Sequence, residues 1–119
     1  MIRLTLPHPP SLNKYYRNVR GKTLLSAAGR DYHDKVSVCV LMAGCPHISG
    51  RLNVEIKWHP PDKRNRDIDN LTKAVFDALQ KAHVFENDGQ IDRIVIERCG
   101  PVFGGEIIME ISGYATIPT

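Results

Sequence analysis

The clearest pattern in the chain is an alternation of apolar and polar residues between positions 52 and 59. The apolar positions are Leu52, Val54, Ile56 and Trp58, with polar residues between them. A period of two predicts a β-strand that buries one face. Pro60-Pro61 follows directly, and proline cannot donate a hydrogen bond within a sheet, so the strand is expected to end there.

Three other segments predict strands. Residues 2–6 alternate in the same way before Pro7. Residues 91–99 and 106–112 are short runs rich in isoleucine, separated by Gly104-Gly105. Glycine pairs commonly mark turns, so these last two strands are expected to follow one another in the chain.

Apolar residues at helical spacing occupy two further segments. The first follows Ser26, a preferred N-cap residue, and continues to Ala43, where Gly44 and Pro46 stop it. The second runs from about Asp69 to His83. Its predicted buried stripe consists of Leu71, Val75, Ala78, Leu79 and Ala82.

The resulting order is strand, helix, strand, helix, strand, strand. It predicts an α/β fold of the α+β type, with two layers and both helices packed on one mixed sheet. The 119 residues suit one domain with a single core. Residues 9–23 show no periodicity and are expected to form a basic loop, and residues 115–119 are expected to be frayed.

Composition narrows the class of protein. Hydrophobic residues make up 42% of the chain, which is typical of a globular protein. No run of 18 apolar residues predicts a membrane span, and the first residues lack the pattern of a secretory signal. The three cysteines form no CxxC motif, so a reduced, cytoplasmic setting is expected.

Charge is distributed unevenly. The net charge is +3, but residues 1–35 carry seven Lys or Arg against two Asp, a balance of +5, which leaves −2 on the rest. Such an asymmetry suggests a basic surface for a polyanion, and a solvated basic loop is the alternative.

Two aspartates, Asp67 and Asp69, stand where the second helix begins. Residues two apart on a helix point about 200° apart, so Asp67 is expected in extended chain, with Ile68 turned to the core and Asp69 at the N-cap. In one interpretation they only cap the helix, and Asp69, Lys73 and Asp77 form i,i+4 ion pairs. In the other, the two adjacent carboxylates, which Arg64 and Arg66 could neutralise, bind a divalent cation such as Mg²⁺.

A third acid, Asp88, lies in the turn sequence Asn87-Asp88-Gly89-Gln90. Asp-Gly is a common turn signal, so a structural role in the turn would by itself explain Asp88. For Asp88 to reach Asp67, the chain must double back after the helix. Spacing along the sequence does not show whether it does.

Three blocks of sequence together resemble a known family. They are LPHPPSLNKYYRNVRGKTLLSAAGRDY near the start, RNRDIDNLTKAVFDAL in the middle, and FENDGQI after it. In this order and at this length, the chain resembles the RusA family of Holliday-junction resolvases, small dimeric nucleases of phages and prophages.

The resemblance implies that Asp67, Asp69 and Asp88 are catalytic acids that bind Mg²⁺, with Mn²⁺ able to substitute, and that Lys73 is their essential basic partner. Some members have two consecutive acids where this chain has Asn87-Asp88, and the second acid is the one retained. The implied activity is paired, symmetric cleavage of a four-way DNA junction by a homodimer, in recombination and repair.

The first block would then form an arm that binds DNA, since basic groups suit phosphates and tyrosines suit unstacked bases. Core packing of at least one tyrosine is the alternative. The predicted DNA contacts are Asn13, Lys14, Tyr15, Tyr16, Arg17, Arg20, Lys22, Arg64, Arg66 and Asn70. Two other functions stay open: a non-catalytic phage DNA-binding module, and a metal nuclease with broader specificity for branched DNA.

Overall fold

A computed structural model describes residues 1–114, so the predicted frayed end, 115–119, lies outside the described residues. The strands are β1 (Ile2–Pro7), β2 (Tyr16–Val19), β3 (Lys22–Leu25), β4 (Leu52–His59), β5 (Ile91–Arg98) and β6 (Glu106–Gly113). The helices are α1 (Leu12–Tyr15), α2 (Ala27–Met42) and α3 (Thr72–Lys81), with 3₁₀ turns at Ile68–Asn70 and Asp88–Gln90.

Four strands form one mixed sheet in the order β1-β6-β4-β5. β4 runs parallel to β5 and antiparallel to β6, which is antiparallel to β1. This arrangement confirms the predicted fold class and the mixed sheet. The alternating residues of β4 are buried and share one core with apolar residues of β6, α2 and α3, as its pattern predicted.

The prediction of a loop over residues 9–23 is wrong, because this segment contains α1 and most of an antiparallel β2–β3 hairpin. Its two-residue turn has Arg20 at φ 51° and Gly21 at φ 76°. Positive φ at both turn residues matches the right-handed twist of the paired strands. Apart from Tyr16 and Leu25, which are half-buried, the hairpin residues are exposed, so burial leaves no alternation in the sequence.

Ser26 ties this hairpin to α2. Its hydroxyl accepts a hydrogen bond from the backbone N–H of Gly29 at 3.0 Å, which confirms the predicted N-cap, and it donates to the carbonyl of Tyr15 at 2.9 Å. A Cβ atom at Gly29 would lie 2.6 Å from that same carbonyl oxygen. Only glycine therefore allows α1 and the start of α2 to approach this closely.

No helix within residues 1–114 combines the length and the apolar character needed to cross a bilayer.

Candidate active site

The acidic turn, residues 67–70, connects the segment after β4 to α3. Asp67 has an extended backbone (φ −79°, ψ 130°), and the 3₁₀ turn that follows is closed by a hydrogen bond from Asn70 N to Asp67 O at 3.3 Å. α3 begins only at Thr72, after Leu71. The prediction that Asp69 is the N-cap of this helix is therefore wrong, and Asp67, which precedes the 3₁₀ turn, makes no side-chain cap bond either.

Both carboxylates of the acidic turn are exposed. Within residues 1–114, neither Asp67 nor Asp69 forms a side-chain hydrogen bond or an ion pair. Ile68 is 37% exposed, so the prediction that it turns into the core is also wrong. Because the aspartates are not used for capping or pairing, their oxygens are free to bind a ligand from outside the chain.

Asp62 pairs with Arg64 and Arg66, the two arginines that could have neutralised Asp67 and Asp69. The Arg66 guanidinium donates to both its oxygens, at 2.5 and 3.1 Å, and the Arg64 side chain lies 3.8 Å away. The hydrogen bond from Arg66, helped by the Arg64 backbone N–H, lowers the pKa of Asp62 to about 2. Asp62 was missed in the sequence because residues 62–66 form no helix, so the spacing of Asp62 and Arg66 does not predict their contact.

Arg98 anchors the same segment to the sheet. Its guanidinium donates to the carbonyl of Arg66 and lies 4.7 Å from the centre of the Trp58 ring, a cation–π contact. The Trp58 indole N–H donates to His8 Nε2 at 2.9 Å. A cavity of about 410 Å³ opens beside these residues, and Asp67 and Asn70 are in its wall.

Asp88 lies in a second, more firmly held turn. Asn87 and Gln90 form a capping box around it: the Asn87 side chain accepts from Gly89 N at 2.7 Å, and the Gln90 side chain accepts from Asn87 N at 3.0 Å. The backbone N–H of Asp88 donates to the Gln80 side chain at 3.3 Å. The second turn therefore lies against the C-terminal end of α3, and the Asp88 carboxylate is exposed.

Lys73 lies in the first turn of α3, with its ammonium 3.2 Å from the Asp77 carboxylate. That hydrogen bond and charge raise the pKa of Lys73, and the nearby Tyr16 and Asp88 raise it further. Lys73 is therefore a cation at neutral pH. Of the two i,i+4 ion pairs predicted for Asp69, Lys73 and Asp77, the Lys73–Asp77 pair forms. The described residues contain no Asp69–Lys73 pair.

The three candidate acids do not converge on one point. Among residues 1–114, no three His, Cys, Asp or Glu side chains form a group that could hold a metal ion. Mg²⁺, however, commonly uses only one or two carboxylates, with water and substrate phosphates as its other ligands. The hard oxygens of Asp67 and Asp69 fit that chemistry.

Most of the predicted DNA contacts lie on the surface. Asn13, Lys14, Arg17, Arg20 and Lys22 are exposed on α1 and the hairpin, and Tyr16 is half-buried. Tyr15 is fully buried, with its hydroxyl 2.7 Å from His33 and 3.1 Å from Asp77. Core packing therefore applies to Tyr15, and the predicted stacking of this ring on DNA is corrected.

Comparison with known proteins agrees with the resemblance seen in the sequence blocks. The family model described as "Endodeoxyribonuclease RusA" matches residues 7–112. Proteins named crossover junction endodeoxyribonuclease RusA from Shigella sonnei and Escherichia coli K12 are each 39% identical over 110 residues, covering 92% of both chains. The protein of that name from Enterobacteria phage 82 is 39% identical over 113 residues, with the same coverage. The chain belongs to the RusA family of endodeoxyribonucleases.

Proposed function

We propose that this chain is a crossover junction endodeoxyribonuclease, which resolves four-way DNA junctions by Mg²⁺-dependent hydrolysis of phosphodiester bonds. The observation that carries the proposal is that the exposed carboxylates of Asp67 and Asp69 form no ion pair with any residue in 1–114. They stand directly ahead of the helix that bears a protonated Lys73. The shared name of the relatives supports the junction as substrate.

The residues suggest a division of work. Asp67 and Asp69 would hold Mg²⁺, and Asp88 would contribute from the opposite turn once DNA is bound. When bound, the ion lowers the pKa of a water and neutralises charge on the phosphate. Lys73 uses one N–H on Asp77 and keeps two for phosphate oxygens. Because it is protonated, it serves as a hydrogen-bond donor and not as a base.

The basic arm (α1 with the β2–β3 hairpin) is the proposed DNA-binding surface. Lys14, Arg17, Arg20 and Lys22 are exposed on it and form no ion pair with another described residue, so their charges are available to phosphates. Tyr16 is half-buried, and its exposed part would contact an unstacked base. This surface would extend to the cleavage site through Arg64 and Arg66, which precede the acidic turn, and through Asn70, which lies in it.

Resolution of a junction needs two symmetric cuts, which a two-fold homodimer with one site per subunit provides. β5 is an edge strand of the sheet, and it exposes Ile94 (45%) and Val95 (38%). The backbone N–H and C=O groups on the outer side of an edge strand can pair with a strand of another chain. We expect light scattering at micromolar concentration to give the mass of a dimer. Monomers both with and without junction DNA would contradict paired cutting by two identical sites.

The deciding experiment measures cleavage of a synthetic four-way junction with Mg²⁺, with Mn²⁺, and with chelator. We expect paired nicks with either metal and none with chelator. Binding without cleavage under all three conditions would favour the non-catalytic DNA-binding module. Equal cleavage of junction, fork and linear duplex would favour a nuclease of broader specificity.

A further inference from the structure

Four side chains, from the buried His33 to the exposed Lys73, are connected by hydrogen bonds. His33 Nε2, on α2, lies 2.7 Å from the hydroxyl of Tyr15, on α1. That hydroxyl lies 3.1 Å from one oxygen of Asp77, and the other oxygen of Asp77 lies 3.2 Å from the ammonium of Lys73. Three helices therefore contribute to one network.

Exposure differs between the two ends of this network, with Tyr15 and His33 buried and Asp77 and Lys73 closer to solvent. Tyr15 and His33 are 0% and 8% exposed, whereas the side chains of Asp77 and Lys73 are 26% and 53% exposed. The buried end is fixed by core packing, and the outer end is a flexible lysine. Asp77 stands between them, with one oxygen bound to each side.

The position of each proton follows from the contacts. Burial and the Asp77 charge raise the pKa of Tyr15, so its hydroxyl keeps the proton that it donates to Asp77. The Tyr15 oxygen then accepts from His33, whose Nε2 must carry the hydrogen. His33 Nδ1 is left as a bare acceptor, and it is the buried nitrogen without a hydrogen-bond partner among the described residues.

A neutral His33 agrees with its surroundings. Burial and the positive charge of Lys81 lower its pKa, against the weaker opposing influence of Asp77 and Asp34. Lys73, in contrast, faces Asp77 on its own helix, Tyr16 on β2 and Asp88 on the second turn, which all favour its charged form.

A second Lys–Asp pair at the same i,i+4 spacing shows what the network adds. Lys35 and Asp31 on α2 lie 3.0 Å apart, but their side chains are 61% and 63% exposed. Asp31 makes no further side-chain bond with a described residue. An exposed pair of this kind restrains its lysine little.

We propose that Asp77, held in place by Tyr15 and His33, is a positioning residue that directs the ammonium of Lys73 toward the phosphate to be cleaved. The proposal rests on the proposed nuclease function. It assigns a role to three residues other than the three candidate metal-binding acids, Asp67, Asp69 and Asp88. It also gives a functional reason for the burial of Tyr15 within a basic arm whose other residues are exposed or half-buried.

The test compares Asp77→Asn with the matched control Asp31→Asn. Each substitution keeps the size of the side chain and removes one carboxylate from a Lys–Asp pair. For Asp77→Asn we expect junction cleavage to fall at least about 10-fold, the lower end for residues that support a ligand indirectly, with junction binding unchanged. The alkaline limb of its pH–rate profile should shift to lower pH, because Lys73 loses its stabilising carboxylate. Asp31→Asn should match the wild type.

Tyr15→Phe tests whether the effect extends beyond the local ion pair. It leaves the Lys73–Asp77 pair but removes the hydroxyl that fixes Asp77, so cleavage should fall by less than in Asp77→Asn. Asp77→Glu, which restores the charge, should recover part of the activity and return the alkaline limb toward that of the wild type. Circular dichroism would verify that every variant is folded.

An NMR titration of the Lys73 side chain in metal-free, DNA-free protein separates this proposal from the nuclease function. A fall in the pKa of Lys73 in Asp77→Asn, but not in Asp31→Asn, is expected whether or not the wild type cuts DNA. An unchanged pKa, or wild-type cleavage by folded Asp77→Asn, would overturn the positioning role. Failure of the wild type to cut junctions with Mg²⁺ would overturn the nuclease function instead.

Discussion

Asp67 and Asn87 occupy the same position in two different turns, directly before a three-residue 3₁₀ turn. Asn87 uses its side chain to cap the turn, and Gln90 completes the capping box. Asp67 makes no cap bond. One turn therefore uses its polar side chains to hold its own backbone, whereas the other leaves its carboxylates free and depends on Asp62 and Arg98 to hold the segment.

The difference shows that, within one short chain, the residues that stabilise a turn are not the residues proposed to carry the chemistry. A polar residue ahead of a turn is ordinarily explained by capping. Here the acids that carry the proposed chemistry, Asp67, Asp69 and Asp88, form no side-chain bond with another described residue, and the neighbouring Asn87 does the capping. Asp92, four residues beyond Asp88, shows the opposite case, since it pairs with Arg51 at 2.9 Å.

The largest expected effect is on cleavage, from Asp67→Asn, Asp69→Asn and Asp88→Asn. Each keeps the side chain's size and removes a charge that attracts Mg²⁺. Cleavage should fall at least about 10²-fold, taking the upper value for indirect metal partners as a floor for a direct ligand. Junction binding, measured by gel shift without metal, should persist, and so should stability, because none of these side chains caps or pairs. Wild-type cleavage by folded Asp69→Asn would end the metal-site proposal.

The basic arm should show the complementary effect, on binding. Changing Lys14, Arg17 and Arg20 together to alanine should reduce the slope of log affinity against log salt by roughly 2.7, at about 0.9 per phosphate contact. Fluorescence anisotropy at several salt concentrations measures this slope. Cleavage of saturating junction should change less than affinity. A slope equal to that of the wild type would mean that the arm is a solvated surface.

The turn around Asp88 should respond to mutation through stability. Asn87→Ala removes the cap bond to Gly89 and should destabilise the chain by about 1 kcal/mol, the usual cost of losing an N-cap. Chemical denaturation measures this change. Asp67→Asn, at the equivalent position of the acidic turn, is the control and should leave stability unchanged. Equal losses in both variants would contradict the division of labour between the two turns.

The sequence predicted those elements in which one face is buried, because burial of one face leaves a periodic pattern of apolar residues. The alternation in β4 and the helical stripe of α3 both correspond to buried faces. The hairpin was missed because nearly all of its residues are exposed. The network behind Lys73 was missed for another reason: Tyr15 is 18 residues from His33 and 62 from Asp77, so only tertiary packing brings them together.

The smallest expected effect is on the stability of the chain at low pH, and it again distinguishes the two turns. His8, beside the acidic turn, accepts a hydrogen bond from Trp58 at Nε2, and its Nδ1 lies 2.8 Å from the carbonyl of Pro9, so both ring nitrogens are engaged in the neutral form. Burial lowers its pKa, and the Arg66 charge lowers it further, against the Pro9 hydrogen bond and Asp62.

A lowered pKa in the folded state means that the unfolded chain binds the proton first as pH falls. The stability from His8 is therefore fully present above the unfolded pKa of about 6.5 and is lost as pH falls through the folded value. His33, whose pKa is also lowered, adds in the same direction. We expect the denaturant concentration at the unfolding midpoint to be lower at pH 5.5 than at pH 7.5. The decrease should be smaller in His8→Gln. An equal decrease of the midpoint in His8→Gln would assign the loss of stability in acid to His33. The acidic turn would then be no more sensitive to acid than the turn around Asp88.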